Sequence, residues 1–459
     1  MLFSKNIKKI HFIGIGGISM SGLAEIAIYK GFKVSGSDIQ NSHLIEKLVS
    51  DGALINIPHD ENNISDADLI VYTSAVKEDN PEMIKARELE LPIMDRATFL
   101  GSIMKTFKYG IAVAGCHGKT TTTSIISLIL KDSDLDPTVL IGGELDAIGG
   151  NVRIGGSPYF ITEACEYMEN FLKFHPFIGV ILNVGEDYLD YFRDLDHIKS
   201  AFLKFAKLIP KEGCLVLCND DPNTREIASS VSCNIKTYGI KNESDYMAKN
   251  IKYNKLGHPS FKVFKNGEFS GEFNLGILGE YNILNSLASI AVSDFLGIPF
   301  ETINKTIEGF KGTHRRFELK GTYNDITVID DYAHHPTEIK VTLEAARKTK
   351  HNKIWCIFQP HTYTRTKALL NEFANSFNNA DKVIISDIYA SREKNDGLIH
   401  SKDLTAEINK YKDIAVYIDG FDNIARYIAK NARPGDLVMT VGAGNITDLG
   451  PMILSEMRK

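Results

Sequence analysis

An apolar run, YGIAVAG (109–115), passes directly into Cys116-His117-Gly118-Lys119-Thr120 and then into the helix-forming run TTTSIISLILK. A strand, a glycine-bearing loop and a helix N-terminus in immediate succession form an anion site at the carboxyl edge of a parallel sheet. Glycines let the backbone turn its N–H groups towards phosphate oxygens. Lys119 is placed to neutralise the β- and γ-phosphates of a nucleotide, and the Thr120 hydroxyl to hold Mg²⁺. The expected nucleotide loop therefore runs through Gly115, Cys116, His117, Gly118, Lys119, Thr120 and Thr121. It departs from the usual pattern at Val113, which stands where the first glycine would be. Phosphate transfer also calls for carboxylates to hold the metal. The run PYFITEA predicts a strand beside the loop strand, with Glu163 at its end, so Glu163 is the first choice of metal ligand together with Thr120. Glu166, Glu186, Asp187 and Asp190 follow this strand or the next, where an acid ordinarily just faces solvent.

The loop is not the whole chain. With 459 residues, about three domains are expected at roughly 150 residues each. Three blocks of alternating strand and helix patterns are present, which predicts an α/β fold of three domains, each built around a mainly parallel sheet with flanking helices. The first and third blocks read as Rossmann-like and the middle block as P-loop ATPase-like. The expected limits are 1–106, 107–315 and 316–459. KIHFIGI, FKVSGSD and LIVYTSAV are strands of the first block, and YGIAVAG, PYFITEA, IGVILNV and CLVLCND of the second. ITVIDDYA, KIWCIFQ, KVIISDIY, IAVYID and LVMTVGAG belong to the third, and residues 245–276 read as an antiparallel addition.

A net charge of −6 argues against nucleic acid as the main partner. The start MLFSKNIKKIHFIGIGG reads as a first strand rather than a signal peptide, since its apolar run is short and lacks a small-residue cleavage site. No apolar run approaches the roughly 18 residues of a membrane span, so membrane insertion is not expected. Six scattered cysteines read as reduced core thiols of a cytoplasmic protein.

The front turn, His11-Phe12-Ile13-Gly14-Ile15-Gly16-Gly17-Ile18-Ser19-Met20-Ser21-Gly22, is a second strand–turn–helix anion site. Alone it resembles a nicotinamide-binding fingerprint with Asp38 as the ribose acid, although Ser19 replaces its third glycine. A dehydrogenase, however, has no use for the phosphate loop downstream.

Taken in order, these segments resemble the Mur ligases over nearly the whole chain. HFIGIGGISMSG with Gly-Ser-Asp at 36–38 is similar to the UDP-sugar domain of the alanine-adding member, AGCHGKTTTTS to the ATP loop, and EACEY to the segment carrying the magnesium-binding glutamate, here Glu163. GEYNILNS is similar to the segment whose asparagines contact adenosine, here Asn282 and Asn285, and GTHRRFE to the hinge arginines Arg315 and Arg316. DDYAHHPTE, FQPHTYTRT and GAGNI are similar to signatures of the third domain.

The resemblance implies an ATP- and Mg²⁺-dependent ligase of peptidoglycan synthesis. Its substrates would be UDP-N-acetylmuramate, L-alanine and ATP, joined through an acyl phosphate, with closure of the third domain during the cycle. It implies UDP-sugar contacts from Gly14, Gly16, Gly17, Ser19, Met20, Ser21, Asp38, Ser74 and Ala75. Arg316 and Asp331 join the ATP contacts, Thr120 and Glu163 hold the metal, and Lys119, Glu163, Arg316, His335 and Arg365 form the catalytic set. From position alone, His334 and His335 fit a helix cap equally well, and Arg365 a surface charge.

Five positions depart from the family pattern. Cys116 stands for threonine, Cys165 for aspartate, Tyr188 for a metal-binding histidine, Tyr281 for a histidine near adenine, and Thr362 for an arginine. Three rivals share parts of the pattern: a Mur ligase for another amino acid or a peptide, a folylpolyglutamate synthase, and a catalytically weakened binding relative.

Overall fold

The computed structural model describes residues 7–188, 191–254, 257–391, 393–395 and 397–459. Asp190 lies outside the described residues, as do the first six of the chain. Three sheets carry the chain. The first is formed by β1 (Lys9–Ile13), β2 (Lys33–Ser37), β3 (Leu54–Asn56), β4 (Leu69–Tyr72) and β5 (Ile93–Asp95) in the order β3-β2-β1-β4-β5. All four pairings are parallel. Between them run α1 (Ile18–Tyr29), α2 (His43–Ser50), α3 (Pro81–Glu88) and α4 (Arg96–Met104). The order reverses at β1, so the front turn opens at the switch point, where ligands of such sheets bind.

The second sheet has ten strands. β6 (Tyr109–Ala114) leads through the loop into α5 (Lys119–Asp132), followed by the hairpin β7 (Thr138–Leu145) and β8 (Gly150–Arg153). β9 (Tyr159–Ala164), β10 (Ile178–Ile181), α6 (Leu195–Ala206), β11 (Cys214–Cys218), α7 (Pro222–Ala228) and β12 (Asn234–Gly239) continue the alternation. β13 (Tyr246–Tyr253), β14 (Pro259–Lys265) and β15 (Glu268–Asn274) extend one edge. The full order is β15-β14-β13-β12-β11-β10-β6-β9-β7-β8. One expectation is corrected here: the addition at 245–276 joins the sheet through a parallel pair, Tyr238↔Tyr246 and Gly239↔Met247. The Asp220 carboxylate accepts the N–H groups of Ile240, Lys241 and Asn242 and so turns the connection back along the same direction. α8 (Tyr281–Phe295) and α9 (Phe300–Gly309) follow.

The third sheet contains β16 (Glu318–Tyr323), β17 (Ile326–Asp331), β18 (Ile354–Phe358), β19 (Lys382–Ile385), β20 (Ala415–Tyr417) and β21 (Leu437–Val441), in the order β16-β17-β21-β18-β19-β20. Only β16 is antiparallel to its neighbour. Its helices are α10 (Pro336–Arg347), α11 (Tyr363–Ala368), α12 (Leu370–Ala374), α13 (Ser401–Tyr411), α14 (Phe421–Asn431) and α15 (Leu449–Met457). The fold is thus α/β with three sheet-based parts. Spatially these fall into two compact units: Met1–Lys249 with Lys262–Phe273 and Leu284–Glu308, and Asn250–Phe261 with Asn274–Ile283 and Gly309–Lys459.

Within the first unit the first two sheets are docked tightly. The buried Asn151 side chain on β8 donates to the backbone carbonyl of Ile18, the first residue of α1. Lys173 pairs with Asp95 at 2.9 Å, and Asp95 also caps α4. At Gly101, inside α4, an added Cβ would lie 1.9 Å from the Lys173 carbonyl oxygen, so only glycine permits this approach. Gly101→Ala is expected to cost about 1–3 kcal/mol by overpacking. Gly309→Ala, in α9 with nothing within 4 Å of an added Cβ, is expected to gain roughly 0.5–1 kcal/mol. Urea titrations of the two variants check the contrast, and equal effects would refute the close approach.

Candidate functional site

The loop after β6 is held open by its neighbours. Gly118 has φ +86° and begins α5 with no side-chain cap, leaving the first-turn N–H groups of the helix directed outwards. Gly118 also admits the Asn285 side chain, whose Oδ1 would be 2.5 Å from a Cβ at that position. Asn183, just past β10, braces the loop with two bonds: its Oδ1 accepts the His117 N–H at 2.9 Å and its Nδ2 donates to the His117 carbonyl at 3.0 Å. The Cys116 thiol is buried and exchanges contacts with Gly185, and burial pushes its pKa well above the ordinary thiol range. It is an inert packing group.

β6 and β9 are parallel neighbours with Val113 opposite Glu163. That register brings the Glu163 carboxylate to the first turn of α5, where it accepts the Thr120 hydroxyl at 3.0 Å and the Gly142 N–H at 2.7 Å. Thr120 and Glu163 are two adjacent hard oxygen donors. This donor set suits a Mg²⁺ ion that takes its remaining ligands from phosphates and water. Among the described residues no group of three or more His, Cys, Asp or Glu is placed to hold a metal by itself.

Lys119 is folded back on the loop, donating to the carbonyls of Gly115 and Cys116 and lying 3.2 Å from Glu166. Burial works most strongly against its charge, but Glu166 first and Asp187 with the neighbouring thiols together hold the lysine pKa above its ordinary value. Tyr188, past β10, packs its ring 4.8 Å from that of Tyr167 and joins the core edge.

In the first sheet, Gly14 N–H and Ile15 N–H both donate to the Ser37 carbonyl, and Gly16 N–H donates to Asp38 at 2.8 Å. The turn is therefore tied to the end of β2, and α1 starts at Ile18 without a side-chain cap. Ser19 accepts from Arg96 at 2.9 Å. Ser74 and Ala75 lie just past β4, exposed. Beneath the turn sits a fully buried carboxylate, Glu82. Burial opposes its charge, yet His11, His59, Ser37 and Asn63 surround it and hold its pKa well below the ordinary glutamate range.

In the second unit Arg315 and Arg316 both lie over the Tyr332 ring but take different polar partners. Arg315 is committed to structure: it donates to the carbonyls of Gly442 (2.6 Å) and Gly444 (2.9 Å) and lies 3.5 Å from buried Asp330. Arg316 stacks over the Tyr332 ring beside Asp331. Asp331 accepts the N–H groups of Phe317 and Ala333, and burial pushes its pKa up to about 6. Asn282, at the start of α8, donates to the Leu278 carbonyl. His335 caps α10, reciprocated by Glu338, which favours the helix-cap reading of that histidine. Arg365 on α11 points at His361, 3.3 Å away, and His361 stacks on Tyr389 and lies near His334.

Lys119, Thr120, Glu163 and Asn285 thus gather around one loop, the glycine turn and Asp38 around another, and Arg316 with Asp331 and Arg365 with His361 form two groups in the second unit. Sequence reading missed Asn183, Asn151, Arg96 and the pairing of Lys119 with Glu166. The available signal for Asn183 was a polar residue directly after the apolar strand IGVIL. Nothing local marks Asn151, whose partner is 133 residues away.

Comparison with known proteins places these features in context. Residues 9–108 match a family model described as the catalytic domain of the Mur ligase family, 113–293 the Mur ligase middle domain, and 315–444 the Mur ligase glutamate ligase domain. The chain is 56% identical over 455 residues to a UDP-N-acetylmuramate–L-alanine ligase of Caldanaerobacter subterraneus subsp. tengcongensis, covering 99% of both chains. It is 54% identical to the enzyme of that name from Acetivibrio thermocellus, covering 99% of this chain and 97% of the other. Among solved structures, UDP-N-acetylmuramate-alanine ligase from Thermotoga maritima superposes with TM-score 0.84 at 31% identity, covering 98% of this chain and 99% of the other. A murein peptide ligase from Psychrobacter arcticus superposes with TM-score 0.76 at 25% identity, covering 98% of each chain.

The buried Glu82 cluster yields a pH prediction. Because the folded-state pKa is depressed, its stabilisation is complete above the ordinary glutamate range and is lost as pH falls through the folded value. Glu82→Gln is expected to lower the melting temperature at pH 7 and to flatten the acid side of the stability profile below about pH 4.5. Thermal melts from pH 3 to 8 check this, and parallel profiles for the two proteins would contradict it.

Proposed function

The chain belongs to the Mur ligase family, and on that premise we propose that it joins L-alanine to the lactyl carboxylate of UDP-N-acetylmuramate, with ATP cleaved to ADP and phosphate. It is an ATP-dependent amide-bond-forming ligase of peptidoglycan synthesis. The observation that carries the reading is the phosphate loop with Thr120 and Glu163 hydrogen-bonded at 3.0 Å behind it. In this reading 1–106 binds the UDP-sugar, 107–315 binds ATP and 316–459 binds the amino acid. The site of action is the cytoplasm, where ATP is available. No helix among the described residues is long and apolar enough to cross a membrane.

The chemistry follows from the groups on each element. A carboxylate oxygen of the lactyl group attacks the γ-phosphorus of ATP, the bond to the β-bridging oxygen breaks, and ADP leaves. The α-amine of L-alanine then attacks the acyl carbon, a proton leaves the nitrogen, and collapse of the tetrahedral intermediate expels phosphate. Lys119 and the uncapped N-terminus of α5 offset charge on the transferring group, which is the main demand of phosphoryl transfer. Thr120 and Glu163 would hold Mg²⁺, which supplies charge neutralisation at the phosphates. Arg316 is assigned to the same demand, with Asn282, Asn285 and Asp331 as nucleotide contacts. Arg365, oriented by His361, binds the carboxylate of L-alanine, and Thr362 leaves it without the second arginine common in the family. The part of His335 is to fix the start of α10 and thereby the placement of His334.

Phosphate release measured with ATP, UDP-N-acetylmuramate and a panel of amino acids tests the assignment. Release that depends on L-alanine supports it, and release with a peptide but not with alanine would move the chain to the peptide-adding relatives. Lys119→Ala is expected to lower turnover by roughly 10²–10³-fold or more while calorimetry shows UDP-N-acetylmuramate binding intact. Half-normal turnover would remove the loop from the mechanism. Because Tyr188 is packed against Tyr167, Tyr188→His is expected to leave the Mg²⁺ midpoint of ligation unchanged and to lower the melting temperature. A lower Mg²⁺ midpoint would reveal a latent metal position.

A further inference from the structure

Two acids three residues apart divide the ground beside the phosphate loop. Glu163 is engaged with Thr120 and the Gly142 N–H. Glu166 faces Lys119 instead: its two oxygens lie 3.3 and 3.2 Å from the lysine nitrogen, and its side chain is only 1% exposed. The same ammonium donates to the carbonyls of Gly115 and Cys116. An ammonium has three N–H donors, so it cannot keep all of these acceptors and also serve the phosphate oxygens of a nucleotide. The lysine that should meet ATP is turned back onto its own loop, and the group holding it there is a buried anion in a place where further anions arrive.

We propose that Glu166 is a positioning residue acting through Lys119, holding the loop lysine folded back while the nucleotide is absent and setting how tightly ATP binds. The proposal rests on the nucleotide-loop reading. Three consequences share one sign. Without the Glu166 charge the folded-back state loses its strongest partner, the arriving phosphates lose a like-charged neighbour, and the partly buried ammonium has more to gain from the nucleotide. Loss of the charge must therefore tighten ATP binding. A purely structural role for Glu166 predicts the opposite, because a loosened loop binds more weakly.

The test is calorimetric titration of the full-length protein with Mg²⁺-ATP, alongside UDP-N-acetylmuramate as a control at the other anion site. Glu166→Gln keeps the shape and removes the charge. It is expected to bind ATP about 5- to 20-fold more tightly than the unmodified protein, with UDP-N-acetylmuramate affinity unchanged. Glu166→Asp, which keeps the charge but withdraws it by one methylene, is expected to fall between the two. Unchanged or weaker ATP binding in folded Glu166→Gln overturns the proposal, as does failure of both variants to fold, because the carboxylate would then be a structural requirement. Absence of ATP binding by the unmodified protein would instead overturn the nucleotide-loop reading itself.

Discussion

Four residues, Gly115 to Gly118, separate the last residue of β6 from the first of α5, and the shortness of that connection governs what surrounds it. A buried strand that must hand its backbone to a helix so abruptly exposes a row of N–H groups with no intrahelical partner. Asn183 accepts the Cys116 and His117 N–H groups, so the first-turn N–H groups of α5 are the ones a bound anion would meet. Gly118 takes the left-handed conformation, Asn183 braces the middle of the loop by its backbone, and Cys116 fills the space below without competing for the ligand. The Thr120–Glu163 pair depends on the same sheet. Glu163 reaches Thr120 because β9 lies beside β6 in a register that sets Glu163 opposite Val113. A slip of one residue would turn that carboxylate to the opposite face of the sheet.

The glycine turn of the first sheet obeys a similar rule, and it is coupled to the phosphate loop by close packing. α1, which grows out of the turn, rests on the β7–β8 hairpin, where Gly22 meets Leu140 and Asn151 reaches the Ile18 carbonyl. On the same face of the first sheet, α4 touches the segment that follows Glu166, with Gly101 against the Lys173 carbonyl. On the proposed function, a UDP-sugar held at the turn would thereby be set at a fixed place relative to the phosphate loop. That is what an in-line attack of a sugar carboxylate on a γ-phosphorus requires, since small misplacements are costly in such reactions.

Much of this was legible in the sequence because local rules govern it. The strand–loop–helix order of 109–131, the glycine turn at 14–17 and the parallel alternation follow from periodicity and from glycine position, and the structure has them where they were expected. Glu163 was legible as an acid closing an apolar strand expected beside the loop strand, and β9 does pair with β6, although the β7–β8 hairpin comes between them in the chain. What escaped is long-range. Asn151, Asn183 and Arg96 act on partners 133, 66 and 77 residues away, and no local pattern marks an asparagine that will bond a distant carbonyl. The parallel attachment of β13 escaped because alternation looks the same in either strand direction, and the deciding contact is the distant Asp220. The two hinge arginines look alike as a pair, and only the carbonyls of Gly442 and Gly444 show that Arg315 is spent on structure.

On the proposed function, the phosphate loop passes the γ-phosphoryl group to a carboxylate oxygen of the sugar before the amide forms. Isotope transfer tests it most directly. UDP-N-acetylmuramate labelled with ¹⁸O in its lactyl carboxylate, incubated with the protein, ATP and L-alanine, should yield inorganic phosphate carrying one ¹⁸O atom for each amide bond formed. Phosphate free of label, or label appearing in AMP, would contradict the account.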